Sequence, residues 1–105
     1  MGKVKTYDYD PVDFIKTDED WAGYINECIR LDEGDGRLIR LALDDFARAK
    51  GLARVAREAG MTRQGLRKAL SENGNPEMMT FVNVVKVLGL QLTVAASPDS
   101  SGFSG

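Results

Sequence analysis

The 105-residue sequence contains no histidine, one cysteine, three prolines and one tryptophan. Because Cys28 is its only thiol and no imidazole is present, the chain can form neither an internal disulfide framework nor a Cys/His metal cluster. No apolar run reaches the roughly 20 residues that a membrane-spanning helix needs, and the N-terminus lacks the apolar core of a signal peptide. We therefore expect a cytoplasmic protein without a metal, a cofactor or a membrane span.

The usual signatures of catalysis are also missing. The sequence has no glycine-rich phosphate loop and no Gly-x-Ser-x-Gly elbow, and Cys28 has no histidine to activate it. The neighbouring acids Asp44 and Asp45, like the acidic residues 18–20, are typical of solvated helix faces or helix caps. These absences predict that the protein is not an enzyme.

Charge is distributed very unevenly along the chain, although the net charge is only -2. Residues 1–47 carry 6 Lys/Arg against 12 Asp/Glu, residues 48–70 carry 7 against 1, and residues 71–105 carry 1 against 3. A basic segment inside an acidic protein indicates either a solvated face or a surface for nucleic acid. Its position among the predicted helices favours nucleic acid.

The first half of the chain predicts an arm followed by two helices. Residues 1–16 include Tyr7, Tyr9 and Phe14 without regular periodicity, which indicates an N-terminal arm. Thr17 and Asp20 have the spacing of a helix start, and the helix that follows ends near residue 34. A second, more apolar helix begins at residue 35 or 36 and ends at Gly51. The apolar stripe of the first helix comprises Trp21, Tyr24, Ile25, Cys28 and Ile29, so that Trp21 and Cys28 are core residues.

Three further helices are predicted in the second half. Two short ones, residues 52–59 and 62–70, are separated by Gly60 and Met61, with Thr62 as the cap of the second. Pro76 suits the first turn of a fifth helix that ends at Gly89. Residues 90–94 alternate between apolar and polar, which predicts a short strand paired with its copy in a dimer, to which the second apolar face of the preceding helix also contributes. Residues 95–105 have the composition of a disordered tail.

Residues 52–70 have the features of a helix-turn-helix, although an ordinary helical hairpin with a basic face is the alternative. Ala56 is small enough for a tight crossing, and Gly60 tolerates the turn. If Leu66 and Ala69 point inward, the polar residues of the second helix point outward. Arginine and glutamine side chains bind guanine and adenine edges, and lysine and serine bind phosphate. The predicted DNA-binding residues are Thr62, Arg63, Gln64, Arg67, Lys68, Ser71, Arg54 and Arg57, with Arg48 and Lys50 as further candidate phosphate contacts.

Gly65 lies inside the predicted second helix of this motif. Glycine costs about 1 kcal/mol against alanine in a helix interior. We expect a close approach of backbone to backbone at this position, within the protein or on the DNA.

The segment 51–71, GLARVAREAGMTRQGLRKALS, resembles the addiction-module antidote proteins, which are HigA-like antitoxins of the Xre-type helix-turn-helix group. The resemblance continues through residues 74–76, Thr80 and residues 88–90, and more weakly into residues 7–8 and the helix around Tyr24. It covers about residues 7–94, and its specific part is residues 65–76.

This resemblance implies an all-α, five-helix Xre/lambda-repressor-like domain over residues 17–94, with the C-terminal dimerisation strand described above. It also implies a homodimeric antitoxin of a type II module that represses its own operon on double-stranded operator DNA and neutralises a RelE/ParE-like toxin. The acidic residues 1–47 would face that toxin, since toxins of this kind are often basic. A stand-alone Xre-type repressor without a toxin partner is the alternative.

Overall fold

The computed structural model describes residues 10–98, which contain six helices and no strand. The bounds of the helices in chain order are α1 (Pro11–Phe14), α2 (Asp18–Leu31), α3 (Arg37–Lys50), α4 (Leu52–Glu58), α5 (Arg63–Ala69) and α6 (Met78–Val87). The all-α prediction is confirmed, and residues 17–94 contain the five helices expected of that domain, α2 to α6, with one further helix before them.

The additional helix is α1, which lies inside the predicted N-terminal arm. The Asp10 carboxylate accepts a hydrogen bond from the Val12 N–H at 3.0 Å, and Pro11 occupies the first turn. Val12 and Ile15 pack against the core. A single helical turn has no periodicity for sequence reasoning to detect. The predicted contributions of Tyr7 and Tyr9 lie outside the described residues.

Helix α2 begins as predicted, because the Thr17 hydroxyl accepts the Asp20 N–H at 3.0 Å. It ends at Leu31 rather than near residue 34. Trp21 is buried and stacks on Phe46 of α3, with ring centroids 5.0 Å apart. Cys28 is half-buried against the core, as expected for a packing residue.

Helix α3 is the central helix, and it packs against α1, α2 and α4. Its start is organised by a carboxylate that sequence reasoning did not single out. Asp32 accepts the N–H groups of Gly34 and Gly36 at 2.8 and 2.9 Å and that of Leu38 at 2.9 Å. These backbone donors hold the pKa of Asp32 below its ordinary value. The buried residues of α3 are Ala42, Leu43, Phe46 and Ala47.

The turn between α4 and α5 follows the predicted chemistry. Gly60 adopts a positive φ of 72°, which glycine tolerates, and the Met61 N–H donates to the Ala56 carbonyl at 2.8 Å. Ala56 is buried at the contact between the helices, and Thr62 caps α5. The turn therefore joins α4 to α5, and the side of the two helices that faces the core is buried.

Helix α6 begins at Met78, so Pro76 lies before the helix and not in its first turn. Its buried residues Val84 and Val85 join the core, and Gly89 ends the helix with a φ of 86°. The predicted strand is not seen, since residues 90–94 form no strand among the described residues of the single chain. A strand requires a hydrogen-bonded neighbour, and within residues 10–98 the segment has none. Leu90 instead packs against the core, and its N–H donates to the Val85 carbonyl.

Residues 95–98 are exposed and contain neither helix nor strand, whereas the rest of the predicted tail, residues 99–105, lies outside the described residues. No helix within residues 10–98 is both long and apolar enough to cross a membrane.

Candidate nucleic-acid interface

The orientation of α5 is determined by the apolar side chains on its inner side. Leu66 is fully buried, with 0% exposure, and Leu70 directly after the helix is buried as well. Ala69 is half-buried. The remaining side chains of this short helix therefore face solvent, as the sequence predicts. The exposed polar residues of α5 are Arg63, Gln64, Arg67 and Lys68.

The first turn of α5 explains the glycine in this helix. The Thr62 hydroxyl oxygen accepts the Gly65 N–H at 2.9 Å. A Cβ added at Gly65 would lie 3.0 Å from that same oxygen. The expected close approach therefore exists within the protein, but its partner is the capping side chain and not another backbone segment.

The end of α5 depends on a glycine that the sequence marks only as part of a turn. Ser71 stays close to the helix end, where its hydroxyl donates to the Lys68 carbonyl at 2.8 Å. The chain then folds back, so that a Cβ at Gly74 would lie 2.7 Å from the Lys68 carbonyl oxygen and closer still to that of Ala69. Any side chain at position 74 would displace the last turn of α5.

Arg40 of α3 holds the same loop from the other side. Its Nε donates to the Ser71 carbonyl at 2.9 Å, and its Nη2 donates to the Glu72 carbonyl at 2.7 Å. The Arg37 Nε also donates to the Glu72 carboxylate at 2.6 Å. Sequence reasoning missed Arg40, because an arginine on an amphipathic helix carries no signal of a distant carbonyl partner. These contacts attach the end of α5 to the start of α3.

Helix α4 supplies two more of the predicted residues. Arg57 is exposed, and Arg54 is exposed with its Nε 3.2 Å from the Glu58 carboxylate. The end of α4 is attached to α6, because the Asn83 side-chain amide donates to the Ala59 carbonyl at 3.0 Å. Asn83 is a second residue that the sequence did not indicate. Both α4 and α5 thus present basic side chains from anchored backbone.

Arg67 differs from its neighbours because it contacts a partly buried carboxylate whose Oδ1 atom is fully buried. Its Nε lies 2.9 Å from Asp44 Oδ1 of α3, although the N–H is not aligned for a hydrogen bond. The Asp44 side chain is 15% exposed, and the Arg48 Nε lies 3.7 Å from its other oxygen. Burial raises the pKa of Asp44 above its ordinary value, and the charges of Arg67 and Arg48 oppose that shift.

Arg48 and Lys50 are placed differently from the other predicted contacts. The Arg48 guanidinium binds Asp10 at 3.1 Å and Asp45 at 2.7 Å, and these carboxylates raise its pKa further above the ordinary value. Lys50 lies 3.1 Å from the Asp18 carboxylate and 5.4 Å from the centre of the Phe46 ring. Both side chains contact the acidic first half of the chain and join α3 to it.

Among the described residues, no ion pair includes Arg57, Arg63 or Lys68. These cations therefore contribute uncompensated positive charge on α4 and α5. Within residues 10–98, no cluster of three acidic or cysteine side chains is placed to hold a metal ion.

An apolar groove lies elsewhere, between α2 and the segment after α6. Its volume is about 360 Å³, and none of the predicted DNA-binding residues lines it. The lining includes Glu19, Ile25 and Ile29 of α2, Phe81 of α6 and Leu92. The structure thus separates this groove from the basic surface on α4 and α5.

Two comparisons with known proteins give matches. The family model described as "Probable addiction module antidote protein" matches residues 5–96. A protein of Haemophilus influenzae (strain ATCC 51907 / DSM 11121 / KW20 / Rd), described as "Uncharacterized protein", is 42% identical over 90 residues, which cover 86% of this chain and 91% of the relative. No solved structure matches the chain.

Proposed function

Because the chain belongs to the family of probable addiction module antidote proteins, we propose that it is the HigA-like antitoxin of a type II toxin-antitoxin module. An antidote of this kind implies a toxin as its partner. We propose further that the protein binds operator DNA, represses its own operon and neutralises a RelE/ParE-like toxin. No catalytic step is part of this proposal.

The DNA-binding part of the proposal assigns α4 and α5 to an Xre-type helix-turn-helix, with α5 in the major groove. The observation that carries it is the outer side of α5, where Arg63, Gln64, Arg67 and Lys68 are exposed on a helix whose Leu66 is fully buried. Arginine binds guanine through two hydrogen bonds, glutamine binds adenine in the same way, and lysine binds phosphate. We assign base contacts to the first three of these residues and a phosphate contact to Lys68.

Residues around α5 would contact the DNA backbone. Arg54 and Arg57 on α4 are exposed cations, and Ser71 at the end of α5 offers a hydroxyl. Thr62 is assigned to capping α5, since its hydroxyl accepts the Gly65 N–H. Arg48 and Lys50 are left out, because their half-buried side chains bind carboxylates of the acidic first half of the chain, whereas Arg54 is 57% exposed and pairs only with exposed Glu58 on the same helix.

Binding to the duplex upstream of the protein's own gene tests this part. Fluorescence anisotropy would compare the unmodified chain with Arg63→Ala/Arg67→Ala and with Arg30→Ala, a matched control on α2 whose arginine pairs with Glu27. We expect the double variant to lose specific binding and Arg30→Ala to retain it. Affinity of the unmodified chain should fall steeply with salt, as it does for proteins that neutralise phosphates. Equal binding by all three proteins would leave α4 and α5 as an ordinary helical hairpin.

Homodimerisation is proposed through α6 rather than through a strand. Met78 and Met79, at the start of α6, are 72% and 71% exposed. Exposed methionines of this kind are typical of protein contact surfaces. A two-fold dimer would place two α5 helices about 34 to 36 Å apart on a near-palindromic operator. Light scattering at micromolar concentration should give a dimer, and Met78→Ser/Met79→Ser should give a monomer.

The toxin contact is proposed on the acidic first half of the chain, where charge complements a basic partner. The structure affects how this is tested, because Asp10 pairs with Arg48, and Val12 and Ile15 pack against the core. Removing residues 1–16 would therefore disturb the fold, whereas removing residues 1–9 leaves these contacts intact. We expect the shorter deletion to weaken binding to the product of the adjacent gene without affecting operator binding. Full toxin affinity after that deletion would assign the contact to the helical body.

A further inference from the structure

Arg67 is the one base-contacting candidate that also contacts a carboxylate of the described chain. Its side chain is 48% exposed, and its Nε lies 2.9 Å from Asp44 Oδ1. Asp44 belongs to α3, which forms the centre of the fold, so the contact joins the exposed surface of α5 to a fixed helix. Asp44 therefore lies beside an arginine that is proposed to contact the bases of DNA.

The contact uses only one edge of the guanidinium group. Arginine carries donors on Nε and on the two terminal nitrogens in a rigid planar fork. Nε lies beside Asp44 Oδ1, and among the described residues the terminal nitrogens Nη1 and Nη2 form no ion pair with another carboxylate, so they remain available as a pair. Such a pair matches the O6 and N7 acceptors of guanine in the major groove.

The Asp44 carboxylate is in turn stabilised by the positive charge of Arg67. Asp44 Oδ1 is buried and has no aligned hydrogen bond within the described residues. Arg67 is the nearest cation to this oxygen, since the Arg48 Nε approaches the other oxygen at 3.7 Å and its Nη2 is directed to Asp10 and Asp45. Moving Arg67 fully onto phosphate would leave the buried Oδ1 without its nearest cation and the Asp44 charge opposed only by Arg48 at 3.7 Å, which is unfavourable. Asp44 therefore restricts the directions that Arg67 can take.

We propose that Asp44 is a positioning residue that sets the base selectivity of the DNA surface by holding Arg67 with its terminal nitrogens outward. The inference rests on the proposed DNA binding by α5. The Asp44 carboxylate also places one negative charge close to the DNA surface, and this charge weakens the attraction to phosphate for every DNA sequence alike. Asp44 thus lowers the affinity for DNA of any sequence and raises the selectivity for the preferred site.

The experiment measures selectivity as the ratio of dissociation constants for a random duplex and for the preferred site. That site is obtained from a randomised duplex library by selection with the full-length protein. For Asp44→Asn we expect the ratio to fall about tenfold, while affinity for the random duplex rises about two- to threefold at low salt. A merely structural role would lower both affinities together through the folded fraction and leave the ratio unchanged.

Asp45→Asn is the matched control, because it removes the same charge from the adjacent position. Asp45 interacts with Arg48 at 2.7 Å and accepts the Tyr24 hydroxyl at 3.3 Å, and it has no contact with Arg67. This variant should strengthen binding to the random duplex with the selectivity ratio retained. Arg67→Lys keeps the charge but lacks the planar fork, so it should lose the same selectivity as Asp44→Asn. Asp44→Asn in the Arg67→Ala background should change the ratio no further.

The outcomes distinguish a failure of the proposed DNA binding from a failure of the positioning role of Asp44. If the unmodified chain selects no duplex from the library, the proposed DNA binding fails and the role of Asp44 fails with it. If it selects a site and Asp44→Asn retains the full selectivity ratio, only the positioning role is overturned. Should Asp44→Asn unfold, Asp44→Ser gives the same decision, since a retained selectivity ratio in that variant also contradicts the positioning role.

Discussion

Basic side chains of residues 48–70 fall into two groups with different surroundings. At the end of α3, Arg48 and Lys50 bind carboxylates that come from the first half of the chain. On α4 and α5, Arg57, Arg63 and Lys68 have no ion-pair partner among residues 10–98, and Arg54 pairs only with exposed Glu58 on its own helix. The sequence counts both groups as one basic block. If α4 and α5 bind DNA as proposed, only the positive charge left after internal pairing is available to the phosphates.

Arg67 lies between the two groups, with one edge on Asp44 and a side chain that is still half exposed. Arg67 therefore contacts an internal carboxylate of α3 while its side chain remains part of the exposed surface of α5. The two groups can therefore be separated by variants that remove equal charge from each.

The largest expected effect is the difference in DNA binding between two charge-matched double variants. Arg63→Gln/Arg67→Gln should weaken operator binding at least about 30-fold, since each base-contacting arginine contributes about 1 to 3 kcal/mol. Arg48→Gln/Lys50→Gln removes the same charge but should weaken binding less than about threefold once the folded fraction is matched. Titrations at one fixed salt concentration measure both. Similar losses in the two variants would show that internal pairing does not distinguish the groups.

A second prediction concerns the scaffold that presents the exposed group. Gly74→Ala should destabilise the protein by about 2 to 4 kcal/mol, because the added Cβ would overlap the Ala69 carbonyl and lie 2.7 Å from that of Lys68. Urea unfolding followed by circular dichroism measures the change. Gly23→Ala is the control, since a Cβ there meets nothing within 4 Å and favours helix. A Gly74→Ala protein as stable as Gly23→Ala would refute the close approach at the end of α5.

The internal group should contribute to stability rather than to binding. Arg48→Ala is expected to cost on the order of 1 to 2 kcal/mol, since it removes partly exposed ion pairs and leaves the carboxylates of Asp10, Asp44 and Asp45 close together. Arg57→Ala, which removes an exposed cation, should change stability by less than about 0.5 kcal/mol. Thermal and urea unfolding of the two variants decides between them. Equal stability of both would place Arg48 with the exposed group.

The smallest expected effect is a pH dependence at the start of α3. Backbone donors lower the pKa of Asp32 in the folded state, so the ionised carboxylate stabilises the fold above the ordinary aspartate pKa of about 3.9. This contribution is lost as the pH falls through the lowered pKa, because the unfolded chain binds the proton first. The stability difference between the unmodified chain and Asp32→Asn should therefore be widest near neutrality and shrink in acid.

Unfolding measured between pH 3 and pH 7 tests this dependence, with Glu33→Gln as the control. The Glu33 carboxylate accepts none of the backbone hydrogen bonds described for residues 10–98. A difference for Asp32→Asn that stays constant with pH would contradict the role of its charge.

Much of the local structure could be predicted from residue types alone. Thr17 and Thr62 are helix caps in the structure, and Gly51, Gly60 and Gly89 take the positive φ values that end helices or form turns. Caps and turns depend on residues close together in the chain, so their chemistry is visible in the sequence. The same holds for the inward Leu66, which follows from helical periodicity.

The errors share a different cause. Residues 90–94 alternate as a strand does, yet they form none among the described residues, because a strand depends on a partner that local sequence does not specify. Helix α1 is a single turn whose stability comes from its cap and from packing on the core. Pattern alone could not decide either element.

The sequence by itself determined the all-helical class, the positions of the main helices and the basic composition of residues 48–70. Only the tertiary structure decided that Arg48 and Lys50 bind carboxylates of the first half, that Arg40 and Gly74 hold the end of α5, and that Asp44 contacts Arg67. The physical reason is the distance along the sequence over which each kind of interaction acts. Helix formation and capping act over a few residues, whereas charge compensation and close packing join groups that only folding brings together.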